Sequence, residues 1–371
     1  MRSLLCWLGF GVLVSAADKP NVLFLLSDDH SYPYLSCYGD ANVRTPVLDK
    51  LASEGIKFRK FFTSAPQCVP SRAAYLSGRS PVAARITRFS APLPRDVITF
   101  PEVLKKEAGY YVGVVGRSYH LDGSGKGDEG LGKFLVDGGY KTFPERFDVV
   151  QGGSDKEAVE QSAAFLEGRP KDKPFCLWLN FSDPHHPWTP SAEDRPDPAK
   201  LTLPAHWPDL PGMRAQLADY CGEVNRVDRS MKAVLDLLAE RGFAANTLVI
   251  FTSDNGCAPY IDVAGLEAMG HFPSGPLRGY KADAWEGGHR VPFIVRWPGR
   301  VRAGGTSAAL VELNDVFATV AEITRVPLPS GVAGDSFSFL PEITGSKPAT
   351  PVRTFAVHHS LTGVFALREG P

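Results

Sequence analysis

The sequence lacks an excess of charge of either sign. Its 40 Lys and Arg residues nearly balance its 41 Asp and Glu residues, and the formal net charge is −1. Nucleic-acid-binding proteins usually carry a basic patch or stripe, so the composition does not indicate a nucleic-acid partner. After its N-terminal segment, the sequence also lacks any apolar run long enough to span a bilayer. We therefore expect neither a nucleic-acid partner nor a membrane span.

The N-terminal segment has the composition of a secretory signal. Arg2 supplies a positive charge, residues 4–14 form a short apolar core, and residues 15–17 are the small residues that precede a cleavage site. A membrane anchor and a first core strand are the alternatives, but the run is too short to span a bilayer comfortably. We expect residues 1–17 to be a cleaved signal peptide and the protein to be exported, either to the periplasm or out of the cell.

Cysteine is scarce, with 6 residues in the whole chain, one of them in the expected signal peptide. An odd number in the mature part of an exported protein leaves one cysteine unpaired or chemically special. The cysteines that remain after cleavage are Cys37, Cys68, Cys176, Cys221 and Cys257. If Cys68 has a chemical role, the other four lack metal-type spacing and their pairing stays open.

Apolar runs alternate with helical patterns along the chain, which is typical of a doubly wound α/β protein. The apolar runs predict five buried strands, over residues 21–26, 110–115, 175–181, 247–252 and 291–297. Capping residues and apolar periodicity predict helices over residues 46–54, 70–77, 100–108, 156–166, 213–241 and 314–324, the fifth being one long helix or a helix pair. The glycine-rich segment 123–139 has no phosphate-binding pattern and is predicted to be a surface loop.

Four of the predicted strands are followed by polar side chains. When parallel strands are joined by right-handed crossovers, their carboxyl ends lie along one edge of the sheet, where ligands bind. The polar groups that follow these strands are Asp28 with Asp29, Arg117 with His120, His185, and Asp254 with Asn255. We therefore expect these side chains to form a single site.

Part of this set favours a hard metal ion. The oxygen donors are the side chains of Asp28, Asp29, Asp254 and Asn255. An all-oxygen set suits Ca²⁺ or Mg²⁺, whereas Zn²⁺ would be expected to recruit His185 and Cys68. Taken alone, the aspartate pair could equally belong to a solvated loop or cap a helix.

The stretch Cys68-Val69-Pro70-Ser71-Arg72 marks the start of a helix. Pro70 suits the first helical position, where its missing N–H costs no hydrogen bond, and Gly78 is a suitable stop. Cys68 would then lie among the unpaired N–H groups at the helix N-terminus, where an anion is favoured. Arg72, four residues on, would share its face of the helix. The alternatives are a buried structural cysteine and an arginine that simply pairs with a carboxylate.

This stretch resembles the signature of the sulfatase family, Cys-x-Pro-Ser-Arg followed by Leu-Ser/Thr-Gly, over residues 68–78. The resemblance extends to Gly-Pro-Leu-Arg-Gly-Tyr-Lys over 275–281, Glu-Gly-Gly-His-Arg-Val-Pro over 286–292 and Trp-Pro-Gly over 297–299. It implies an alkaline-phosphatase-like α/β sandwich with a central, mostly parallel sheet flanked by helices. It also implies that residues 18–345 form the catalytic domain and that residues 346–371 begin a smaller C-terminal domain, most of which this chain lacks.

The resemblance implies that a formylglycine-generating enzyme oxidises Cys68 to formylglycine. An oxygen of that residue would complete the coordination of Ca²⁺, in preference to Mg²⁺, by the four oxygen donors named above. The implied reaction is the hydrolysis of a sulfate ester, either an aryl sulfate or a sulfated carbohydrate such as a polysaccharide.

The resemblance also assigns roles to the basic residues. One hydroxyl of the hydrated aldehyde would attack sulfur while Arg72 and Arg117 hold it. His185 and Lys281 would bind the leaving side, with His185 protonating the departing alcohol. His120 would then accept a proton as sulfate is expelled, a role that suits the near-neutral pKa of histidine.

The chain departs from the family pattern at Arg117, where most sulfatases carry lysine. Arginine keeps the positive charge but changes the geometry of its contacts. His185 is preferred to its neighbour His186 because His-x-Pro matches the family's usual motif.

Two other functions stay open on the sequence. One is a phosphatase or phosphonate hydrolase of the same superfamily, although Cys68 within the complete signature argues against it. The other is a catalytically silent remnant that binds sulfated polysaccharide, which the short C-terminal region suggests.

Overall fold

A computed structural model of the protein describes residues 19–88, 92–118, 120–121, 137–203, 209–258, 274–346 and 350–370. The expected signal peptide, residues 1–17, lies outside these residues, as does most of the predicted loop 123–139. Within the described ranges, no helix combines the length and the apolar character that crossing a membrane requires. The five cysteines after the expected signal peptide are all free thiols.

The described strands form one large sheet and two small ones. Eight strands make the large sheet, in the order β5-β4-β6-β1-β7-β8-β2-β9, while β10 pairs with β3 and β11 pairs with β12. In chain order the strands are β1 (Asn21–Ser27), β2 (Ile56–Phe58), β3 (Phe61–Phe62), β4 (Tyr111–Gly116), β5 (Val149–Gly152), β6 (Phe175–Asn180), β7 (Thr247–Ser253), β8 (Phe293–Arg296), β9 (Gly305–Ser307), β10 (Val311–Glu312), β11 (Phe355–His359) and β12 (Phe365–Glu369).

Helices follow most of these strands along the chain. In the described residues they are α1 (Pro46–Ser53), α2 (Cys68–Ser77), α3 (Phe100–Ala108), α4 (Phe143–Arg146), α5 (Asp155–Gly168), α6 (Pro211–Glu240), α7 (Glu286–His289), α8 (Asp315–Thr324) and α9 (Leu340–Thr344). Short 3-10 turns cover Ser36–Tyr38, Pro198–Lys200 and Ala244–Asn246.

Strand β1 is the centre of the large sheet. All 7 of its residues are buried, and it lies parallel to both of its neighbours, β6 and β7. Its side chains alternate between two cores, as the pleat of a strand requires. Val22 and Phe24 pack in a core with α2, α3 and α8, whereas Leu23 and Leu25 pack in a core with α1, α5 and α6. The sheet is therefore covered by helices on both faces, which confirms the predicted α/β sandwich.

The observed sheet differs from the predicted one at its edges. The predicted runs for β1, β4, β6 and β7 are confirmed and these strands are mutually parallel, but β8 pairs antiparallel with β7 and is shorter than expected. Strands β2, β5 and β9 have no counterpart among the predicted elements. They have 3, 4 and 3 residues, too few for a period to be recognised. Helix α6 is a single helix of 30 residues rather than a pair.

Strands β11 and β12 form an antiparallel hairpin that is bonded to the body of the molecule. The N–H of His359 donates to the carbonyl oxygen of Ser64 at 3.0 Å. Arg353, just ahead of the hairpin, lies 2.8 Å from a carboxylate oxygen of Glu312 and 2.6 Å from one of Asp315. The boundary of a second domain ahead of this hairpin stays a prediction.

Gly116 and Gly109 allow a matched test of close packing at the end of β4. Both have left-handed backbones, with φ of +79° and +74°. A Cβ atom at Gly116 would lie 2.0 Å from the carbonyl oxygen of Asn180, whereas one at Gly109 would meet nothing within 4 Å. We expect Gly109→Ala to lower the free energy of unfolding by about 1 kcal/mol, and Gly116→Ala by about 2 kcal/mol more, because it adds steric overlap to the same φ strain. Urea unfolding measures both, and equal losses would contradict the close approach of β4 to β6.

Candidate active site

Polar residues gather at the carboxyl edge of the large sheet. Strands β1, β4, β6 and β7 end there, while α2 and the loop ahead of α7 contribute further side chains. Through ion pairs and hydrogen bonds, the structure brings together every residue predicted for the site: Asp28, Asp29, Cys68, Arg72, Arg117, His120, His185, Asp254, Asn255 and Lys281. Their individual roles stay predictions.

Helix α2 begins at Cys68, slightly before the predicted start at Pro70. Gln67 precedes it with an extended backbone, at φ −144°, and Pro70 lies in the first turn, where N–H groups have no acceptor inside the helix. Gly78 ends the helix in the left-handed region, at φ 63°, as predicted. Cys68 therefore lies in the first turn of the helix, and it is buried.

The two consecutive aspartates reach one site because the chain turns between them. Side chains of neighbouring strand residues point to opposite faces, but Asp29 leaves the strand with φ 62°, a conformation that aspartate tolerates better than most residues. Its N–H donates to Asp254 Oδ1 at 3.2 Å. The N–H of Asp28 donates to the carbonyl oxygen of Asp183 at 3.2 Å. Hydrogen bonds thereby join the residues that follow β1 to those that follow β6 and β7.

Three aspartates and Cys68 form a compact donor set. Carboxylate oxygens of Asp28, Asp29 and Asp254 and the Sγ atom of Cys68 lie within 4.8 Å of one another, and all four residues are buried. Asn255 borders the set, with Nδ2 2.6 Å from Asp29 Oδ1. Among the described atoms, Asn255 Oδ1 and Asp29 Oδ2 are buried without a hydrogen-bond partner. Because buried oxygens are seldom left unpaired, this donor set fits a hard divalent cation.

The aspartates differ in how their charge is compensated. Burial would raise the pKa of Asp28, but the charges of Arg117 and Arg72 hold it well below its usual range. Burial raises the pKa of Asp29 to about 6 against the opposing charge of Lys281. Burial and the charge of Asp28 raise the pKa of Asp254 to about 6. A cation at this position would stabilise the ionised form of the last two carboxylates.

Arg72 is buried against the aspartates. Its Nη2 group lies 2.9 Å from Asp28 Oδ2, and its Nε group lies 3.0 Å from Asp254 Oδ2. Its Nη1 group donates to Asn180 Oδ1 at 2.9 Å and to the carbonyl oxygen of Arg117 at 3.1 Å. Each of its nitrogens thus meets a protein acceptor, and these contacts match the alternative in which Arg72 pairs with carboxylates.

Asn180 belongs to this network although the sequence analysis did not select it. It is the last residue of β6 and has no exposed surface. Its side chain accepts from Arg72, and its carbonyl oxygen accepts from the N–H of Arg117 at 3.0 Å. The one signal in the sequence was the position of this asparagine at the end of a buried apolar run. A buried amide destabilises the fold unless it is hydrogen-bonded.

Lys281 lies between Cys68 and the second aspartate. Its Nζ atom is 2.9 Å from Cys68 Sγ and 2.6 Å from Asp29 Oδ1. The Sγ atom also lies 3.3 Å from Asp28 Oδ1. Burial and the nearby carboxylates raise the pKa of the Cys68 thiol well above its usual value, so the unmodified thiol stays protonated at neutral pH. It therefore lacks the thiolate form that makes cysteine nucleophilic.

Two histidines present their Nε2 atoms to the aspartates. The Nε2 atom of His120 is 3.8 Å from Asp28 Oδ2, and that of His185 is 3.6 Å from Asp29 Oδ2. Burial lowers the pKa of His120 to about 4 and also lowers that of His185. The ring of His186 instead packs edge-on against Trp188, with centroids 5.5 Å apart. Of the two adjacent histidines, His185 is thus the one beside the carboxylates.

The chain resembles known proteins over most of its length. A family model described as Sulfatase matches residues 20–326. The chain is 30% identical to human arylsulfatase A over 408 residues, which cover 100% of this chain and 76% of that protein. A protein solved in complex with its substrate D-glucosamine-2-N,6-O-disulfate has a TM-score of 0.75 at 21% identity, over 95% of this chain and 87% of that one. A phosphonate monoester hydrolase from Silicibacter pomeroyi has a TM-score of 0.71 at 22% identity, over 92% and 79%. The last two comparisons show a shared fold.

Arg72 and Arg79 allow a test of the buried ion pairs. Arg72→Met would leave Asp28 and Asp254 without their nearest shared cation, so we expect the free energy of unfolding to fall by about 3–5 kcal/mol. Arg79→Met removes one hydrogen bond to the carbonyl oxygen of Gly331, which should cost about 1 kcal/mol. Urea unfolding in the presence of a chelator measures both variants. Similar losses would show that the pairs of Arg72 add no special stability.

Proposed function

The chain belongs to the sulfatase family, and we propose that it hydrolyses sulfate esters with a nucleophile formed from Cys68 and a bound Ca²⁺ ion. The observation that best supports this is the position of Cys68 Sγ, buried in the first turn of α2 within 4.8 Å of three carboxylate oxygens. Basic groups and a helix N-terminus attract a sulfate group, but carboxylates repel it unless a cation compensates them. The arrangement therefore suits an anionic substrate once a cation is bound.

We assign the metal to Ca²⁺, held by the side chains of Asp28, Asp29, Asp254 and Asn255. Oxidation of Cys68 to formylglycine replaces sulfur by oxygen, so that every donor in the set becomes an oxygen. Such a set suits Ca²⁺, which accepts flexible geometry, better than Mg²⁺, which demands a near-ideal octahedron. When bound, the ion supplies positive charge that stabilises negative charge on the sulfate oxygens.

The sulfatase signature that begins at Cys68 is the reason to invoke its modification. Formylglycine, made by a formylglycine-generating enzyme during maturation, supplies in its hydrated form one hydroxyl for attack on sulfur and a second for release of sulfate. Lys281, whose Nζ atom lies 2.9 Å from Cys68 Sγ, places a positive charge beside that side chain. Its pKa is raised well above its usual value by Asp29 and other nearby groups, although burial opposes this, so it stays charged at neutral pH.

His185 protonates the departing alcohol in this proposal. Its Nδ1 atom lies 2.6 Å from the carbonyl oxygen of His186, so Nδ1 carries a hydrogen. The Nε2 atom on the aspartate side therefore has a proton to give up only when the ring is the doubly protonated imidazolium, a form that the negative charge of a bound sulfate ester favours. Lys281 lies on the same side, 2.6 Å from Asp29 Oδ1, and binds the leaving part of the ester.

His120 accepts the proton that sulfate release requires. With its pKa lowered to about 4, its imidazole is neutral near pH 7 and can accept a proton. The Nε group of Arg117 lies 3.2 Å from His120 Nε2 and donates to it, so Nε2 is the unprotonated nitrogen and takes up the proton in place of this hydrogen bond. Arg117 also lies 2.8 Å from Asp28 Oδ2. We propose that Arg117 binds the sulfate oxygens and that Arg72 holds the carboxylates in place.

The substrate is proposed to be a sulfated carbohydrate or an aryl sulfate. Human arylsulfatase A is a relative by sequence, and a protein of the same fold has been solved with a disulfated glucosamine. We further propose that residues 1–17 are removed on export and that residues 18–345 form the catalytic domain.

The mass of the peptide that contains Cys68 tests the nucleophile. In protein exported by a host able to make formylglycine, we expect this peptide to have lost its thiol and to react with a hydrazide. The peptide with Cys176, a buried cysteine of the core that includes Val22 and Phe24, is the internal control and should stay alkylatable. The parent should hydrolyse 4-nitrophenyl sulfate faster than 4-nitrophenyl phosphate, and Cys68→Ala should lose about 100-fold or more of this activity. An alkylatable Cys68 in active protein would refute the proposed nucleophile, and a preference for phosphate would favour a phosphatase.

Calcium binding can be tested apart from activity. Ca²⁺ at about 100 times its dissociation constant should raise the free energy of unfolding by about 2.7 kcal/mol. Asp254→Asn removes one charged donor and should lose most of this increase, whereas Asp194→Asn, at a buried aspartate paired with Arg229, should keep it. Thermal unfolding with and without Ca²⁺ measures the shift. An equal shift in the parent and in Asp254→Asn would place the ion elsewhere.

A further inference from the structure

His185 lies in the loop 183–189, which follows β6. One arginine of the long helix α6 holds this loop. The Nε and Nη2 groups of Arg226 lie 2.6 and 2.8 Å from the two carboxylate oxygens of Asp183. Its Nη1 group donates to the carbonyl oxygen of Thr189 at 2.8 Å. One planar guanidinium thus binds the loop both before and after His185, with a fork geometry that lysine cannot reproduce.

Two acidic residues, Glu223 and Asp155, join Arg226 and Asp183 in holding the loop. We call these four residues the clamp. Glu223 lies one turn before Arg226 on α6 and is 2.6 Å from its Nη2 group through Oε2, while its Oε1 atom accepts from the N–H of Thr189 at 2.6 Å. Asp155, the first residue of α5, accepts from the N–H of Asp183 at 3.1 Å. The loop is therefore fixed from the two helices that pack on this face of the sheet.

The charge of the clamp is carried mainly by one pair. Burial and a hydrogen bond with Asp183 raise the pKa of Glu223 to about 9, so this carboxyl is largely neutral near pH 7. Hydrogen bonding to Asp183 raises the pKa of Arg226, which therefore stays charged. Arg226 and Asp183 form the principal ionic anchor of the loop, and Asp183 is almost wholly buried.

The clamped residues are bonded directly to the site. The carbonyl oxygen of Asp183 accepts from the N–H of Asp28, the first residue after β1, at 3.2 Å. The N–H of His185 donates to the carbonyl oxygen of Ser182 at 2.9 Å. A shift of Asp183 would therefore move His185 relative to the aspartates, to which its ring is held by a 3.6 Å approach to Asp29.

We propose that Arg226 is a positioning residue for His185, holding its loop so that Nε2 faces the leaving group of the ester. The inference rests on the proposed function, in which His185 protonates the departing alcohol. No contact between Arg226 and the donor set or Cys68 is seen in the described structure, and Arg226 acts through its bonds to Asp183 and Thr189. A proton donor matters most when the leaving group is a weak acid, so misplacing His185 should affect poor leaving groups more than good ones.

The test compares kcat for a series of aryl sulfates that runs from 4-nitrophenyl sulfate, with a good leaving group, to phenyl sulfate, with a poor one. For Arg226→Lys, which keeps the charge and loses the fork, we expect a loss of about 10-fold or more on phenyl sulfate and less than about 3-fold on 4-nitrophenyl sulfate. His185→Ala should show the same dependence on the leaving group with a larger loss. Asp183→Asn is the second variant, because it keeps the backbone bond to Asp28 and weakens the anchor.

Arg229→Lys is the matched control, on the same helix and one turn further along. Arg229 pairs with Glu193 and Asp194, which lie beyond the segment 183–189 that Arg226 holds, so its variant should keep the parent kcat on every ester. Equal losses on all esters in Arg226→Lys and Asp183→Asn, or no loss, would overturn the inference and assign the clamp to stability alone. A parent that carries formylglycine at residue 68 but hydrolyses no sulfate ester would overturn the proposed function, and this inference with it.

Discussion

Compensation of the buried charge of Asp28 is the interaction on which the rest of this sheet edge depends. A carboxylate without exposed surface is tolerated only beside close cations, and Arg72 and Arg117 lie 2.9 and 2.8 Å from one of its oxygens. Because Arg72 belongs to α2 and Arg117 follows β4, these two pairs tie a helix and a strand to the end of β1. Cys68 is one turn before Arg72, and His120 is close to Arg117 along the chain, so the same pairs also set the positions of the proposed nucleophile and base.

The charges of the site explain why a metal would matter to an anionic substrate. Three aspartates face three basic side chains, so the protein groups alone are formally balanced. A divalent cation added to this balance would make the site net positive, which favours binding of the anionic sulfate monoester over binding of its neutral alcohol product. The residues in question are Asp28, Asp29 and Asp254, with Arg72, Arg117 and Lys281.

The location of the site could be predicted from the sequence because four buried strands end in polar residues, and parallel topology brings such ends together. The central strands are confirmed for the same reason, since continuous burial leaves a long apolar signal. The direction of β8 could not be read, because an antiparallel neighbour has the same apolar composition as a parallel one. Asn180 and Arg226 escaped prediction for a different reason: each acts through partners far away along the chain, and neither belongs to a motif.

The burial of Cys68 has a consequence for the time at which this residue can be modified. The side chain has no exposed surface, lies in the first turn of a helix and is enclosed by carboxylates and Lys281. Another protein cannot reach it there without opening this edge of the sheet. Under the proposed function, the enzyme that oxidises Cys68 must therefore reach the chain before α2 docks, so that modification would compete with folding. A chain that folds too soon would be trapped with its thiol intact, so slow folding around β1 would raise the yield of active protein.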